Sequence, residues 1–438
     1  MSTATQCFNR ETETASQDEL HAIQKKRLRK TVRHVYDNCT YQRQRMDAQG
    51  IHPEDIRSMD DLQLLPTMDK AVFRDNYPMG LLSTSAQNIR EMHMSSGSTG
   101  TPVVMPYTQN DLSQWAECMA RCYYMAGALP SDAIQITPSF GLFNGGFGMY
   151  HGARAAGLFI IPTGAGNTER QIRLAKDFGT RVITGVVSYG IRIMEVMQKK
   201  GIELPELDIG IFGAEVFSTP MREKIESGLG IEAFDIYGMT ETGGVGTLGM
   251  DCPVHNGIHV WEDHYIIEIL DAEGHPVPDG ETGELTITSL TREALPVIRF
   301  RTGDLTSIRT RKPCACGRTH LKIAPITGRA DDMLIVKGVN FFPRQIEQVL
   351  MKIPGVGSNY QIILEEVNSV TDVRVNVEAE EGVSGFTVEK ALKEALGFSP
   401  KGDVFPIGGL PRQPGKAKRV FNSNDPDAAR PDGNSNQA

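Results

Sequence analysis

The spacing of apolar and polar positions divides the chain into regions of different rhythm. Residues 17–48 repeat apolar side chains at helical intervals, with Leu20, Ile23, Leu28, Val32 and Val35 on one face. Pro53, Pro66 and Pro78 then punctuate a stretch of short helices and turns. From about residue 90, short apolar runs alternate with amphipathic ones. Ala133–Thr137, Leu158–Pro162, Val182–Val187 and Ile209–Phe212 read as strands, and Gln109–Ala126, Glu169–Phe178, Tyr189–Lys199 and Pro220–Leu229 as helices. This alternation predicts an α/β domain around a largely parallel sheet.

Beyond Trp261 the helical pattern stops. Tyr265–Leu270, Gly283–Ser289 and Val297–Arg301 predict a β-rich subdomain, with turns at Asp271–Gly274 and Asp279–Gly283. From Asp331 a strand (Met333–Val336), a helix (Pro343–Lys352), two strands (Tyr360–Glu366, Asp372–Glu378) and a helix (Thr387–Leu396) predict a small α+β unit. The expected organisation is a large multi-subdomain α/β domain over 1–330, a small C-terminal α+β domain over 331–423 and a polar, disordered tail over 424–438.

Composition narrows the function classes. A chain of 438 residues suits two or three domains, and 40% apolar with 23% charged residues is the balance of a soluble globular protein. No apolar stretch approaches a bilayer span, and the polar start lacks the basic flank and apolar core of a secretory signal, so the reading is a cytoplasmic protein without a membrane partner. A net charge of −9 argues against a nucleic-acid partner; the basic segment Arg27 to His34 reads as the solvated face of a helix. Seven scattered cysteines do not suggest a disulfide framework, and Cys118 and Cys122, one helical turn apart, read as small buried hydrophobes.

The most informative segment is Ser95-Ser96-Gly97-Ser98-Thr99-Gly100-Thr101. Small residues let backbone N–H groups converge on an anion, and hydroxyls add donors. Pro102 and Val103-Val104 then lead into a strand. The loop is not a Walker A motif, because no Gly-Lys-Ser/Thr follows. Taken alone it reads as a phosphate cradle or as a linker.

Five further segments follow it: FGAE from Phe212, DIYGMTETGG from Asp235, RFRTGDL from Arg299, GRADDMLIVKGVNFFP from Gly328 and PGKAKR from Pro414. In this order they resemble the core motifs of the adenylate-forming ligases over nearly the whole chain. The N-terminal DELHAIQKKRLRKTVRHVYDN, GIHVWEDH and TREALPVIRFRTGDLT are similar to the phenylacetate–coenzyme A ligase branch.

The resemblance implies a two-step reaction. A carboxylate attacks the α-phosphate of ATP to give an acyl-adenylate and pyrophosphate, and coenzyme A then displaces AMP. Such chemistry rests on positioning and charge stabilisation. By resemblance, Ser95, Ser96, Gly97, Ser98, Thr99 and Gly100 cradle the phosphates, Glu241 binds Mg²⁺, and Thr240 donates to the α-phosphate. Tyr237 and the turn Gly213-Ala214-Glu215 line the adenine pocket, and Asp235, Gly238 and Met239 join the ATP/AMP-binding set; Asp304 takes the ribose; Arg329, with Arg301 nearby, faces phosphate. Lys416 is the adenylation lysine, with Lys418 the neighbouring alternative. Asp331 is the hinge of a mobile small domain, and Lys337 and Gly338 meet coenzyme A. The family also implies a homodimer.

Two sites are less determined by motif. Cys314 and Cys316 in a tight turn before Gly317, with Cys252 and His259 upstream, suit a tetrahedral Cys₃His zinc site; His255 is a rival for the histidine, and reduced cysteines are the alternative. Phe140, Phe143 and Tyr189 either pack an aromatic acid or belong to the core. The branch implies phenylacetate or another aryl acid as substrate. Rival readings are an adenylyltransferase placing AMP on a deazaflavin coenzyme and a non-catalytic ATP-binding module.

Overall fold

The computed structural model describes residues 6–95, 101–215, 217–330, 334–336, 339–367, 370–396, 400–412, 417–423 and 425–429. They form two compact units. The first comprises Met1–Gly185, Lys200–Ala214 and Ile231–Pro325; the second comprises Val186–Lys199, Glu215–Gly230 and Ile326–Ala438.

The strands of the first unit are, in chain order, β1 (Ile89–Met94), β2 (Val104–Thr108), β3 (Ala133–Ile136), β4 (Phe159–Ile161), β5 (Val182–Val186), β6 (Ile209–Gly213) and β7 (Glu232–Met239). They continue with β8 (Gly244–Asp251), β9 (Ile258–Val260), β10 (Tyr265–Leu270), β11 (Gly283–Ser289), β12 (Phe300–Thr306), β13 (Ile308–Thr310) and β14 (Lys322–Ile323). Nine of them make one sheet in the order β13-β14-β9-β8-β7-β6-β5-β3-β4. β3 runs parallel to β4 and β5, and β6 to β7. Past β7 the pairing turns antiparallel, through β8, β9, β14 and β13. The largely parallel sheet expected from the alternation is therefore a mixed one. Only the turn Thr240–Gly243 joins β7 to β8, too short for the crossover that a parallel neighbour needs.

Two more expectations change. The helical run at 17–48 is two helices, Gln17–Asn38 and Thr40–Asp47, broken at the extended residue Cys39 (φ −112°, ψ 105°). The strand expected at Val297–Arg301 begins only at Phe300, because Arg299 takes a left-handed φ of 46° that ends any extended run. Its guanidinium pairs at 3.0 Å with the buried side of Glu268, which fixes that kink.

The first core lies between the sheet and two helices, Gln109–Met125 and Asn144–Ala155. Cys118 and Cys122 are fully buried in it, and burial pushes both thiols far above their ordinary range, as inert core residues require. The second helix has little apolar periodicity but several glycines, which let it approach closely: a Cβ on Gly152 would lie 2.1 Å from that of Met119.

In the second unit Val356–Val367 and Val370–Ala379 pair antiparallel, flanked by parallel strands Val420–Asn422 and Lys401–Pro406. Helices Pro343–Leu350 and Gly385–Leu396 cover a core that includes Phe341, Ile346, Tyr360, Ile362, Val375 and Leu392. Residues 425–429 pack against this sheet. The Ala429 N–H donates to Gln361 Oε1 at 2.8 Å, and the Ala429 carbonyl accepts from Asn376 at 2.7 Å. Among the described residues no helix is long and apolar enough to cross a membrane.

Candidate active site and a cysteine–histidine cluster

The glycine- and hydroxyl-rich loop hangs from an antiparallel ribbon. β1 and β2 pair from Ile89↔Thr108 to Met94↔Val104. Two further hydrogen bonds close the base: Ser95 N–H to the Val103 carbonyl and Val103 N–H to Ser95 Oγ, both 2.9 Å. Ser96, Gly97, Ser98, Thr99 and Gly100 lie outside the described residues, as do Asp331, Lys337, Gly338 and Lys416.

Three predicted site residues share the end of β7 and the turn after it. Tyr237 donates its phenolic O–H to Asp304 Oδ2 at 2.6 Å, joining β7 to β12. Thr240 Oγ1 accepts from Asn144 Nδ2 at 2.8 Å. Glu241 is 4% exposed, and its Oε1 lies 3.6 Å from Lys70 Nζ. The backbone folds this way because glycines permit it. Gly243 and Gly244 hold φ of 105° and 118°, and a Cβ on Gly238 would meet the Gly244 carbonyl at 2.3 Å. The Tyr265 O–H donates to the Thr242 carbonyl at 2.7 Å and pins the turn from below.

Asp304 itself is 7% exposed, and its backbone N–H donates to Thr302 Oγ1 at 3.0 Å. Arg301 is held elsewhere, its Nε donating to Glu284 Oε2 at 2.7 Å. The Asp235 N–H donates to Asp251 Oδ1 at 2.8 Å. Lys70 and Asn144 escaped the sequence reading, since a lone lysine and a lone asparagine carry no periodic or motif signal.

Under the loop ribbon, Glu91 Oε2 lies 3.1 Å from His151 Nε2 and 3.4 Å from His93 Nε2. Those hydrogen bonds, His151's first, hold the Glu91 carboxyl at about 2. His93 packs edge-on to Tyr107 and Trp115 at about the same centroid distance, 5.4 and 5.5 Å. Phe140 packs edge-on to Phe147 at 5.4 Å, whereas Phe143 is 52% exposed. Both precede or open the helix Asn144–Ala155.

In the second unit, Tyr189 is half-buried on the helix Val187–Lys200. Glu215 follows Ala214, a non-glycine residue at φ 63°, and its carboxylate accepts from Ser188 and Ala417. Arg329 is half-buried in the strand Gly328–Arg329.

Cys252, His259, Cys314 and Cys316 converge, with their ligand atoms all within 4.8 Å of one another. Tetrahedral zinc with thiolate and imidazole bonds of about 2.3 and 2.0 Å sets ligand separations of about 3.8 Å for S···S and 3.5 Å for S···N. Here Cys252 Sγ is 3.7 Å from Cys314 Sγ, and Cys316 Sγ is 3.4 Å from His259 Nε2. His259 Nδ1 lies 3.1 Å from the His320 carbonyl, an outer contact that leaves Nε2 facing the thiols. A hydrogen bond from Cys252 draws the Cys316 thiol far down. Burial is the largest influence on Cys314 and raises it, but the hydrogen bond with His259, the Cys316 backbone hydrogen bond and the charge of His259 together outweigh it and hold the thiol at about 7. The donor set thus fits a soft divalent ion. The rival His255 is engaged by Asp251 at 2.9 Å and Glu232 at 3.2 Å.

Comparison with known proteins matches the AMP-binding enzyme family over residues 3–291 and the AMP-binding enzyme C-terminal domain over 338–424. The chain belongs to the AMP-binding enzyme family. A phenylacetate–coenzyme A ligase of Thermus thermophilus is 37% identical over 440 residues, covering 94% of this chain and 99% of that one. One from Escherichia coli is 40% identical over 424 residues, covering 93% and 96%. A crystal structure of 2-hydroxyisobutyryl-CoA ligase, in complex with R3-HIB-AMP, superposes with a TM-score of 0.88 at 23% identity, covering 94% of this chain and 92% of that one. That structural likeness establishes the shared fold of this AMP-binding enzyme.

Proposed function

We infer that the chain is an ATP-dependent acid–coenzyme A ligase that works through an acyl-adenylate, with phenylacetate or another aryl acid as substrate. The observation that carries this is end-to-end similarity to phenylacetate–coenzyme A ligases, at 37–40% identity over 93–94% of the chain. The clustering of Tyr237, Thr240, Glu241 and Asp304 around one strand end supports it.

In this reading Asp304 accepts from the ribose hydroxyls, and Tyr237 orients its carboxylate. Thr240, held by Asn144, faces the α-phosphate, and the Ser95–Gly100 loop takes the outer phosphates. Glu241 is the Mg²⁺ ligand; a single buried carboxylate with phosphate oxygens and water suits that hard ion, which would neutralise phosphate charge during attack. Lys70, beside Glu241 at 3.6 Å, supplies a further cation to the same pool of charge. Lys416 bridges carboxylate and phosphate oxygens in the first step. The small C-terminal domain then turns about Asp331, replacing Lys416 by Lys337 and Gly338 for the attack of coenzyme A.

The test is a pyrophosphate-release screen over aryl, arylacetic and short aliphatic acids, with and without coenzyme A. Turnover that needs coenzyme A supports a ligase; acid-independent transfer of AMP would instead support the adenylyltransferase. Lys416→Ala should abolish pyrophosphate release and spare thioester formation from supplied acyl-adenylate, and normal pyrophosphate release would refute the role of Lys416.

The Cys₃His cluster is, we propose, a structural zinc site. It lies in the β-rich part of the first unit, so its contribution is to stability rather than chemistry. Assembly as a homodimer is part of the same proposal from the family, and light scattering on the purified protein tests it.

A further inference from the structure

The helix Asn144–Ala155 opens without a side-chain cap. Its N-cap is Phe143 (φ −79°, ψ 140°), which accepts nothing from the first turn. Asparagine is among the side chains best suited to capping, and one place earlier it would have bonded a free N–H of its own helix. Asn144 instead stands at the first helical position and gives its amide to Thr240: Nδ2 donates to Oγ1 at 2.8 Å. A local preference set aside in this way marks a place where another demand prevails.

The helix is held firmly enough to fix that amide. The Met94 N–H, at the end of β1, donates to the Leu142 carbonyl at 2.8 Å, just before the helix begins. Glu91 of the same strand meets His151 at 3.1 Å, and the Tyr123 O–H donates to the Met149 carbonyl at 2.8 Å. Gly148 lies so close to Trp115 and Val245 that a Cβ there would collide with both. Val245 follows the turn that carries Thr240, and its carbonyl accepts from Trp115 Nε1 at 2.9 Å. Helix and turn therefore share one support.

The consequence of the bond follows from the chemistry of a hydroxyl, which has one hydrogen and two lone pairs. An amide N–H only donates, so it takes a lone pair of Thr240 Oγ1 and leaves the hydrogen for another partner. Among the described residues the Thr240 hydroxyl hydrogen has no acceptor, although Thr240 is only 9% exposed. Two residues on, the Thr242 hydroxyl is spent on the Met239 carbonyl at 3.0 Å. A hydroxyl that accepts one bond is also polarised to donate a stronger one.

We propose that Asn144 is a positioning residue for the α-phosphate: its amide occupies Thr240 Oγ1 and so commits the hydroxyl hydrogen to an anionic phosphate oxygen. The proposal rests on the reading of Thr240 as the α-phosphate donor and adds the group that sets the sense of that bond. A hydroxyl bonded to a phosphate oxygen is charge-assisted, about twice as strong as a neutral pair.

The test is a double-mutant cycle in the full chain. It measures equilibrium binding of AMP, which carries the α-phosphate and needs no acid, with adenosine as the phosphate-free control. Urea midpoints first establish that each variant is folded. Thr240→Val should weaken AMP by about tenfold or more, as loss of a bond to a charged oxygen requires. Asn144→Ala should weaken it by about three- to tenfold. The two together should stay within about twofold of Thr240→Val alone, because Asn144 acts through that hydroxyl. Adenosine binding should change by less than about twofold in Asn144→Ala. Asn144→Asp gives a second reading should alanine disturb the helix. It matches asparagine in shape and suits a first helical turn, but it can only accept. It therefore captures the hydroxyl hydrogen and should weaken AMP at least as far as Thr240→Val. Added to Thr240→Val it should cost less than it does alone, since only the repulsion of its charge remains. Losses that multiply in the cycle, adenosine weakened as much as AMP, or tighter AMP binding by Asn144→Ala overturn the proposal. So does a Thr240→Val variant that binds AMP as the wild type does. A wild type that binds AMP but releases no pyrophosphate with any acid removes the ligase reading alone, and the cycle still decides the role of Asn144.

Discussion

At the scale of single residues, the site is a set of short-range pairings that burial makes costly to break. Asp304 is 7% exposed and accepts from Tyr237 at 2.6 Å. In the proposed ribose role, Asp304→Ala removes the acceptor outright and should raise the KM for ATP by about tenfold, equivalent to about 1.4 kcal/mol. Tyr237→Phe leaves the carboxylate in place and should do less; pyrophosphate release against ATP concentration measures both. An Asp304→Ala variant with unchanged KM would take Asp304 out of the nucleotide site. The cysteine cluster is the other residue-scale case. The purified protein should contain about one zinc per chain, four ligands being a complete structural set. Cys316→Ser should lower both zinc content and Tm, and metal-free protein with an unaltered Tm would dismiss the site.

At the scale of elements, close packing decides which glycines are required. The helix Asn144–Ala155 lies on Gln109–Met125 through Gly148 and Gly152. Replacing glycine by alanine inside a helix ordinarily gains about 0.5–1 kcal/mol. At Gly152 that gain is opposed by a Cβ contact of 2.1 Å with Met119, with further contacts to its backbone at 3.1 and 3.2 Å. Overpacking costs about 1–3 kcal/mol, so Gly152→Ala should be net destabilising and lower the urea midpoint. Gly145→Ala in the same helix meets only Pro138 at 3.4 Å and should be neutral or slightly stabilising. Two midpoints shifted in the same direction would contradict the packing described. The same helix shows why part of the site stayed hidden in the sequence. Its run Asn144-Gly145-Gly146-Phe147-Gly148 looks like a loop by composition, because glycine favours turns. Tertiary contact with Trp115 and Met119 overrides that preference and brings Asn144 to Thr240.

At the scale of the whole molecule, buried charge links folding to pH. Arg121 and Asp263, each with a side chain 1% exposed, pair at 2.8 Å between the helix Gln109–Met125 and the segment before β10. His264 sits against this pair, Nε2 3.3 Å from Asp263 and 3.4 Å from Arg121 Nη2, with Nδ1 2.8 Å from Thr291 Oγ1. Burial above all, with Arg121 beside it, lowers the imidazole to about 4 against the pull of Asp263. In the unfolded chain it titrates near about 6.5. Above that pH both states leave it neutral, and it contributes nothing to pH dependence. Between about 6.5 and 4 only the unfolded state takes the proton, so stability falls with pH by up to about 1.4 kcal/mol per unit. Urea midpoints measured from pH 7 to 4.5 should drop, and His264→Gln should flatten the slope. An unchanged slope in the variant would assign the effect to other groups.

The sequence by itself determined what depends on local spacing and on the order of motifs. Most of the parallel strands and their helices were legible from period, as were antiparallel strands such as Tyr265–Leu270 and Gly283–Ser289, whose bounds the structure repeats. The family was legible because six short motifs recur in one order, and each demands small, charged or hydroxyl residues at set places. The four cluster ligands could be named because thiols and imidazoles are scarce, although only the fold chose His259 over His255. Tertiary structure alone decided what depends on residues far apart in the chain. It turned the sheet antiparallel after β7 and broke the first helix at Cys39. It also set Lys70 beside Glu241 and drew Glu215 to Ala417, 202 positions on. Such pairings leave no trace in local pattern, because a carboxylate, a lysine or a backbone N–H finds its partner through the path of the chain and not through its neighbours in sequence.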